Sequence, residues 1–462
     1  MRKHYILLFI LFITGISTTK AQFTDILQFN DTNGAYPSGS LTLSAGVLYG
    51  MSSYGGANGF GCIFSINEDG SGYKKILDFN DTNGKNPNGS LLLSGNKLYG
   101  MTEVGGLNSY GCIFSINING SGYKEMFDFN STNGARPYSS LILSGRKLYG
   151  MTEQGGVKNL GCIFSIDTSG NGFKKLFDFN DTNGALPYGT LTLSAGKLYG
   201  MTFNGGSNGL GCIFFIDTNG AGYKDMLDFN GTNGSTPYGS LTLSGSKLFG
   251  MAYQGGANDK GCIFSIDTNG GGYRDLFDFN GTNGYRPNAS SLVLKGNVLY
   301  GMTEYGGAKN YGCIFSVDTS GSGYKDIIDF NDSNGAYPFG SLTLSGNVMY
   351  GMTYEGGVNN LGVIFNSNDT TAGVNQLSAG ANEIRLFPNP NKGRFIIQLS
   401  VVSCKSTVEV YNMLGEKIYE EALRQAQGDN EIDIGNQPAG VYLYRVITEN
   451  GNFVADGKFV IQ

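Results

Sequence analysis

A tetrapeptide returns at a fixed interval through most of this chain. Gly-Cys-Ile-Phe begins at Gly61, Gly111, Gly161, Gly211, Gly261 and Gly312, and Gly-Val-Ile-Phe begins at Gly362. The interval is 50 residues, stretched once by an insertion near Ser290. A period of this length makes each copy a unit that buries its apolar faces only against its neighbours, which restricts the chain to a ring or a solenoid.

Each copy holds four apolar runs of strand length, in the second copy residues 90–93, 97–101, 112–116 and 123–130. Gly-rich and Asn-Gly segments such as Asp217-Thr218-Asn219-Gly220 separate the runs and supply the positive φ that tight hairpins need. Four antiparallel strands per copy describe a propeller blade. The two ends decide between ring and solenoid. The segment Phe23-Thr24-Asp25-Ile26-Leu27-Gln28-Phe29-Asn30 copies the fourth run of a repeat, whereas the last copy stops after its third run at Val363-Ile364-Phe365. A ring in which the first strand completes the last blade accounts for both, and a solenoid with capping repeats accounts for neither. The expected fold is all-β, a seven-bladed β-propeller over residues 22–369 with four-stranded blades.

The order Leu-Tyr-Gly-Met-Thr, Gly-Gly, Gly-Cys-Ile-Phe and Asp-Phe-Asn, repeated seven times between Phe23 and about Asn368, resembles the GloVer tandem-repeat family of bacterial exported proteins. The resemblance implies architecture rather than an activity. Kelch repeats share the period and a Gly-Gly but carry a Trp, and this chain has none.

Beyond Asp369 the period stops. Residues 370–383 form a Gly-, Ala-, Ser- and Asn-rich linker, and seven short apolar runs within 384–462 predict a small Ig-like β-sandwich. The landmarks Phe387-Pro388-Asn389-Pro390, Val410-Tyr411-Asn412-Met413-Leu414-Gly415 and Pro438-Ala439-Gly440-Val441-Tyr442 resemble the type A sorting domain of the type IX secretion system. That resemblance implies a Gram-negative source, the secretion machinery as partner of residues 384–462, and delivery through the periplasm to the cell surface or the medium. Its motif residues map to Pro388, Asn389, Pro390, Gly415 and Gly440, and the polar stretch 423–429 departs from the pattern as a lengthened loop. At the other end, Arg2 and Lys3, an apolar run from Tyr5 to Ile16 and a small-residue site before Gln22 read as a signal peptide over 1–21. No later run approaches a transmembrane anchor.

Charge and composition narrow the chemistry. Without residues 1–21 the chain loses Arg2, Lys3 and Lys20 from 31 basic residues against 37 acidic ones, leaving a net charge of −9, which disfavours nucleic acid and anionic membrane as partners. The only histidine, His4, leaves with the same segment, so the exported chain holds no Ser-His-Asp triad, Cys-His dyad or His-ligated zinc. No cofactor is expected. Cys62, Cys112, Cys162, Cys212, Cys262 and Cys313 recur once per blade, too far apart for disulfides between blades, and Val363 takes their place in the seventh. They read as buried free thiols. Segments such as Asp78-Phe79-Asn80 to Gly84 invite a calcium-loop reading, but an EF-type loop needs an acid where Gly89 stands. Asn80 and Asn83 capping a turn is the better account.

The candidate site follows from internal comparison. The Gly-Gly loops keep a fixed frame while their leading residues vary: Ser53-Tyr54, Glu103-Val104, Glu153-Gln154, Phe203-Asn204, Tyr253-Gln254, Glu304-Tyr305 and Tyr354-Glu355. A fixed frame with varied tips is a recognition scaffold. On one reading the chain is a non-catalytic surface binding module, with Tyr54, Phe203, Tyr253, Tyr305 and Tyr354, beside Glu103 and Glu153, contacting a glycan or a protein. Alternatively it is a structural or adhesive surface protein in which these aromatics only cover loop edges. A third reading, a carboxylate-dependent glycan-active enzyme, would draw on Glu103, Glu153, Glu304 and Glu355, but no spacing ties any two together and they read as surface decoration.

Overall fold

The structure, a computed structural model, describes residues 23–288, 290–368, 384–387, 390–399, 406–412, 416–423, 429–448 and 453–461. The expected signal peptide and linker lie outside these residues, as do Pro388, Asn389, Cys404 and Gly415. The chain divides into two compact units, Met1–Thr371 and Ala372–Gln462. Every described element of both is a β-strand or a short bridge.

The first strand, β1 (Phe23–Gln28), precedes β2 (Thr42–Ser44), β3 (Val47–Ser52), β4 (Cys62–Asn67) and β5 (Lys74–Asp78). β2 to β5 make one antiparallel four-stranded sheet in sequence order, and five further sheets repeat it. The seventh takes Thr343–Ser345, Val348–Met352 and Val363–Asn368, and β1 is its outer strand, paired from Phe23 with Ser367 to Gln28 with Val363. β1 reproduces even the irregularity of β5: the pairing skips Ile26 in the one and Ile76 in the other. Seven four-stranded blades with the first strand closing the last bear out the expected propeller.

Period-two alternation explains why both faces of a blade are apolar. Leu48, Cys62, Phe64 and Ile66 pack with Phe29, Tyr350, Met352 and Ile364 of the last blade, while Tyr49, Met51 and Ile63 pack with Leu98, Phe114 and Ile116 of the next. Seven such inter-blade cores result, one between each adjacent pair. Gly50 interrupts the apolar run of β3 for a steric reason. It faces Phe64 across the strands, and a Cβ there would lie 2.5 Å from the Phe64 ring.

The three-residue strands such as β2 are innermost and touch one another around the axis. Just before them, each blade's backbone N–H donates to the hydroxyl of the next: Ser40 to Ser90, Ser90 to Ser140, Ser140 to Thr190, Thr190 to Ser240, Ser240 to Ser291, Ser291 to Ser341 and Ser341 to Ser40, at 2.7–3.2 Å. Thr42, Thr192, Thr242 and Thr343 add a second tie to the carbonyl of the following blade's leucine, at 2.5–2.6 Å. At the outer side, Asp78 accepts the Ala57 N–H and so anchors the Gly-Gly loop. Gln28 does the same for Val358 in the closing blade, where the Asp is missing. The interblade turn is held by a reciprocal pair, Asn80 N to Asn83 Oδ1 at 2.8 Å and Asn83 N to Asn80 Oδ1 at 3.0 Å, the capping role expected of these residues.

In the second unit the sheet Ile384–Phe387, Arg394–Leu399, Asp429–Asp433 and the sheet Lys417–Leu423, Ser406–Tyr411, Gly440–Thr448, Phe453–Ile461 enclose a core of Phe395, Ile397, Val408, Val410, Ile432, Tyr442, Val446 and Phe459. These seven strands form the expected small sandwich. Gly440 opens its longest hairpin, and Pro390 sits exposed at a bend.

Candidate functional site

The two long loops of each blade are stitched together on one rim. In the first blade Ala35 and Tyr54 exchange backbone hydrogen bonds at 2.8 and 3.0 Å, and Tyr36 N reaches Leu361 O of the preceding blade at 2.9 Å. This arrangement holds the residue before each interblade proline at positive φ: Tyr36, Asn86, Arg136, Leu186, Thr236, Arg286 and Tyr337 all lie between 47° and 54°. A non-glycine residue there stores about 1 kcal/mol or more, and all seven blades accept it. Past the proline the chain turns to the axis, where Ser38, Asn88, Tyr138 and Tyr188 line a cavity of about 50 Å³ together with the ring of seven hydroxyls.

Aromatic rings from several blades meet at the mouth of this cavity. Tyr188 and Tyr238 stack at 4.2 Å, Tyr138 meets Tyr188 edge-on at 5.4 Å, and Tyr138 also lies 6.0 Å from Tyr238, two blades away. Contact between non-adjacent blades places these rings at the axis. Burial raises the hydroxyl pKa of all three. Phe203 packs edge-on against Tyr188 and Tyr238, Tyr253 lies 6.2 Å from Tyr238, and Phe339 stacks on Tyr354 at 4.6 Å.

Carboxylates sit among the rings. Glu103 accepts from Asn88 Nδ2 at 2.8 Å and lies 3.6 Å from Arg136. Glu153 accepts from Tyr188 Oη at 3.0 Å, and Glu304 accepts from Asn288 Nδ2 at 3.0 Å and Tyr253 Oη at 3.3 Å. Burial pushes the carboxyls of Glu103 and Glu304 above the ordinary range, partly offset by these donors and the arginines. The expectation that the loop glutamates are surface decoration is corrected here: Glu153 is 8% and Glu304 6% exposed. Packing between the two long loops covers them, which loop position alone does not reveal.

The candidate residues divide into two layers. Glu103, Glu153, Phe203, Tyr253 and Tyr354, with Ser53 and Glu304, lead their loops, and each touches a residue that follows a proline. Tyr54 and Tyr305 stand one residue later, Tyr54 against Tyr36 at 5.9 Å and Tyr305 against Tyr285 at 5.3 Å, with the Tyr305 hydroxyl also bonded to Glu304. Tyr54 is 45% exposed, the most accessible ring of the set. The residues missed are those flanking the prolines, chiefly Tyr138, Tyr188, Tyr238, Asn88, Asn288, Arg136 and Arg286. Their signal was present in the sequence: after the proline the copies read Ser38, Asn88, Tyr138, Tyr188, Tyr238, Asn288 and Phe339, as varied as the loop tips.

Comparison with known proteins places both units. The model of the Gloeobacter/Verrucomicrobia repeat matches residues 12–214, 79–254 and 194–382, and that of the secretion system C-terminal sorting domain matches 385–462. No curated protein matches. Among solved structures, the extracellular domain of the putative hybrid two-component system BT4673 from B. thetaiotaomicron is similar at TM-score 0.50 and 14% identity, over 82% of this chain and 44% of that one. A puromycin-hydrolyzing peptidase of Mycobacterium tuberculosis is similar at 0.50 and 10%, over 82% and 60%. PorZ, a surface component of the type IX secretion system of Porphyromonas gingivalis, is similar at 0.44 and 14%, over 93% and 59%. The chain thus spans about half of these structures' own length, and at these identities the two with TM-score 0.50 speak to the fold alone. The sorting domain directs export by type IX secretion, to the cell surface or the medium, and among the described residues no helix is long and apolar enough to cross a membrane. With repeat matches running from residue 12 to residue 382, well over half its length, the chain belongs to the Gloeobacter/Verrucomicrobia repeat family and carries a secretion system C-terminal sorting domain.

Proposed function

We propose that this exported protein is a non-catalytic binding module whose ligand, a glycan or a protein outside the cell, docks at the axial mouth of the propeller. One observation carries the reading. Seven copies that agree in frame and core diverge at the residue after each proline and at the residue leading each Gly-Gly loop, and these positions touch one another beside the axial cavity. Divergence confined to the mouth turns a sevenfold ring into an asymmetric surface, which a specific ligand needs and a purely structural ring does not. In this reading residues 1–21 are the leader, 22–369 the binding unit, 370–383 a linker and 384–462 the export address.

The absence of histidine beyond His4 weighs against acid–base chemistry near neutrality. The mouth carboxylates are engaged by Tyr and Asn donors, an arrangement suited to orienting a ligand. The test is a glycan array and a panel of surface proteins, probed with the chain and with Phe203→Ala/Tyr253→Ala. A ligand retained by the first and lost by the second supports the reading. A blank array together with strong aggregation of cells displaying the protein supports the adhesive alternative.

A further inference from the structure

Each interblade turn carries a hydroxyl that the turn itself does not need. Asn30, Asn80, Asn130, Asn180, Asn230, Asn280 and Asn331 all stand two residues before a Thr or, in the last case, before Ser333, while the residue between varies among Asp, Ser and Gly. In all seven the hydroxyl donates to the asparagine Oδ1 at 2.7–2.9 Å and remains exposed. The reciprocal pair of Asn80 with Asn83 already closes the turn through backbone N–H groups, and an exposed hydroxyl-to-amide bond adds little to that. Ser333 in place of Thr shows that the group kept is the hydroxyl and not the methyl.

The same bonds decide which amide atom is left over. Oδ1 of each asparagine also accepts the backbone N–H three residues on, at 3.0–3.2 Å, so the oxygen is engaged twice and Nδ2 is left to solvent. Among the described residues no acceptor meets any of these seven Nδ2 atoms, and all seven asparagines are exposed. The triplet of Asn, any residue and Ser occurs also at Asn88, Asn233 and Asn288, but there Nδ2 is spent on Glu103 at 2.8 Å, the Asp228 carbonyl at 3.3 Å and Glu304 at 3.0 Å. Asn119, exposed and with Ser121 Oγ at 2.8 Å from its Oδ1, joins the seven.

We propose that these eight exposed asparagines accept N-linked sugar on the exported chain. An Asn with a hydroxyl two residues on is the acceptor that such transfer requires, and a surface turn of a secreted protein is where it is used. In the step, Nδ2 forms a bond to the anomeric carbon of a sugar carried on a pyrophosphate, the bond from that carbon to the phosphate oxygen breaks, and the pyrophosphate leaves with the electron pair. The displaced Nδ2 proton passes to a base of the transferase, a separate enzyme. An added sugar breaks no hydrogen bond of the fold. Seven of the acceptors follow the outer strand of their blade and lie against the Gly-Gly loop, as where Gly56 N donates to the Asp31 carbonyl at 2.7 Å, so the sugars fringe the face that carries those loops.

The test is peptide mass spectrometry on the chain collected from the cells that naturally export it. Trypsin gives neighbouring peptides of residues 76–85, with Asn80, and 86–97, with Asn88. Peptide 76–85 should be heavier than its amino-acid mass by at least one sugar, and 86–97 should be bare. The sugar should be lost in Asn80→Gln and in Thr82→Ala and kept in Thr82→Ser, while an unchanged melting temperature shows that the ring is intact. A bare 76–85 peptide overturns the proposal. Sugar on both peptides shows that a free Nδ2 is not what selects the acceptor, and sugar retained in Asn80→Gln places it on Thr82 Oγ1. Either result also overturns the proposal.

Discussion

The backbone N–H of Ser341 donates to Oγ of Ser40 at 2.8 Å, joining the seventh blade to the first across 301 residues of chain. The same contact links every other neighbouring pair of blades, so the seam is bonded at the axis as any other junction is. At the outer side β1 completes the sheet of the last blade, and Phe29 just after it enters the core shared with the first.

Removing residues 23–30 should therefore open the ring. It strips the outer strand from the last blade and takes Phe29, wholly buried, out of the core between blades seven and one. The exposed edge invites self-association. Phe29→Ala alone should cost about 3–5 kcal/mol by denaturant unfolding, whereas Ser40→Ala should cost only about 1 kcal/mol. A deletion variant that melts like the intact chain would show that closure contributes nothing.

The repeated cysteines should be inert until the propeller unfolds. Burial pushes the Cys62 thiol up to about 11 and those of Cys112, Cys162, Cys212 and Cys313 to about 12, with hydroxyls such as Thr102 Oγ1, 3.3 Å from Cys112 Sγ, opposing the shift. In a Cys404→Ser background, a thiol reagent at pH 8 should label none of the six in the folded chain and all six in denaturant. Cys62→Val, which copies Val363, should change stability by less than about 1.5 kcal/mol.

Four outer strands carry facing acids where two others carry a lysine. Burial first, then the neighbouring aspartate, pushes Glu125 and Asp326 up to about 7 and Asp225 and Asp275 to about 6. Their folded-state values exceed the unfolded ones, so their contribution is fully present below about pH 4 and is lost as pH rises through 6 to 7. In the blades with lysine, Lys75 Nζ bridges Asp78 at 2.9 Å and the Thr32 carbonyl at 3.2 Å. Replacing the four acids by Lys should raise the propeller's melting temperature at pH 8, with a gain that shrinks toward pH 4. Parallel pH curves for the two proteins would refute the assignment.

In the sorting domain, the buried Glu409 is ion-paired with Arg445 and with Lys417 at 3.2 Å, and accepts from Tyr411 Oη at 2.9 Å. The Arg445 contact is the main reason its carboxyl is held down at about 2. A depressed value gives the opposite pH dependence: the contribution is present above about pH 4.3 and disappears as pH falls toward 2. Glu409→Gln should lower the melting temperature of this unit at pH 7 and lower it much less at pH 2.5, followed by circular dichroism.

Much of this protein was determined by its sequence alone. Blade number, strand order and closure by Phe23–Gln28 follow from a strict period and from the missing fourth strand, because each blade's contacts repeat those of the one before. The buried state of Cys62 follows from its place beside Phe64 and Ile66 on one strand face. The site was legible only in part. Variation marked Glu103, Glu153 and Phe203, but which of two adjacent tip residues faces the axis depends on the exchange of hydrogen bonds between loops some twenty residues apart, such as Ala35 with Tyr54. Only the closed ring brings Tyr138 within 6.0 Å of Tyr238, one hundred residues further along the chain. Sequence periodicity records what each blade repeats, and the axis, where the copies differ and meet, exists only once all seven are assembled.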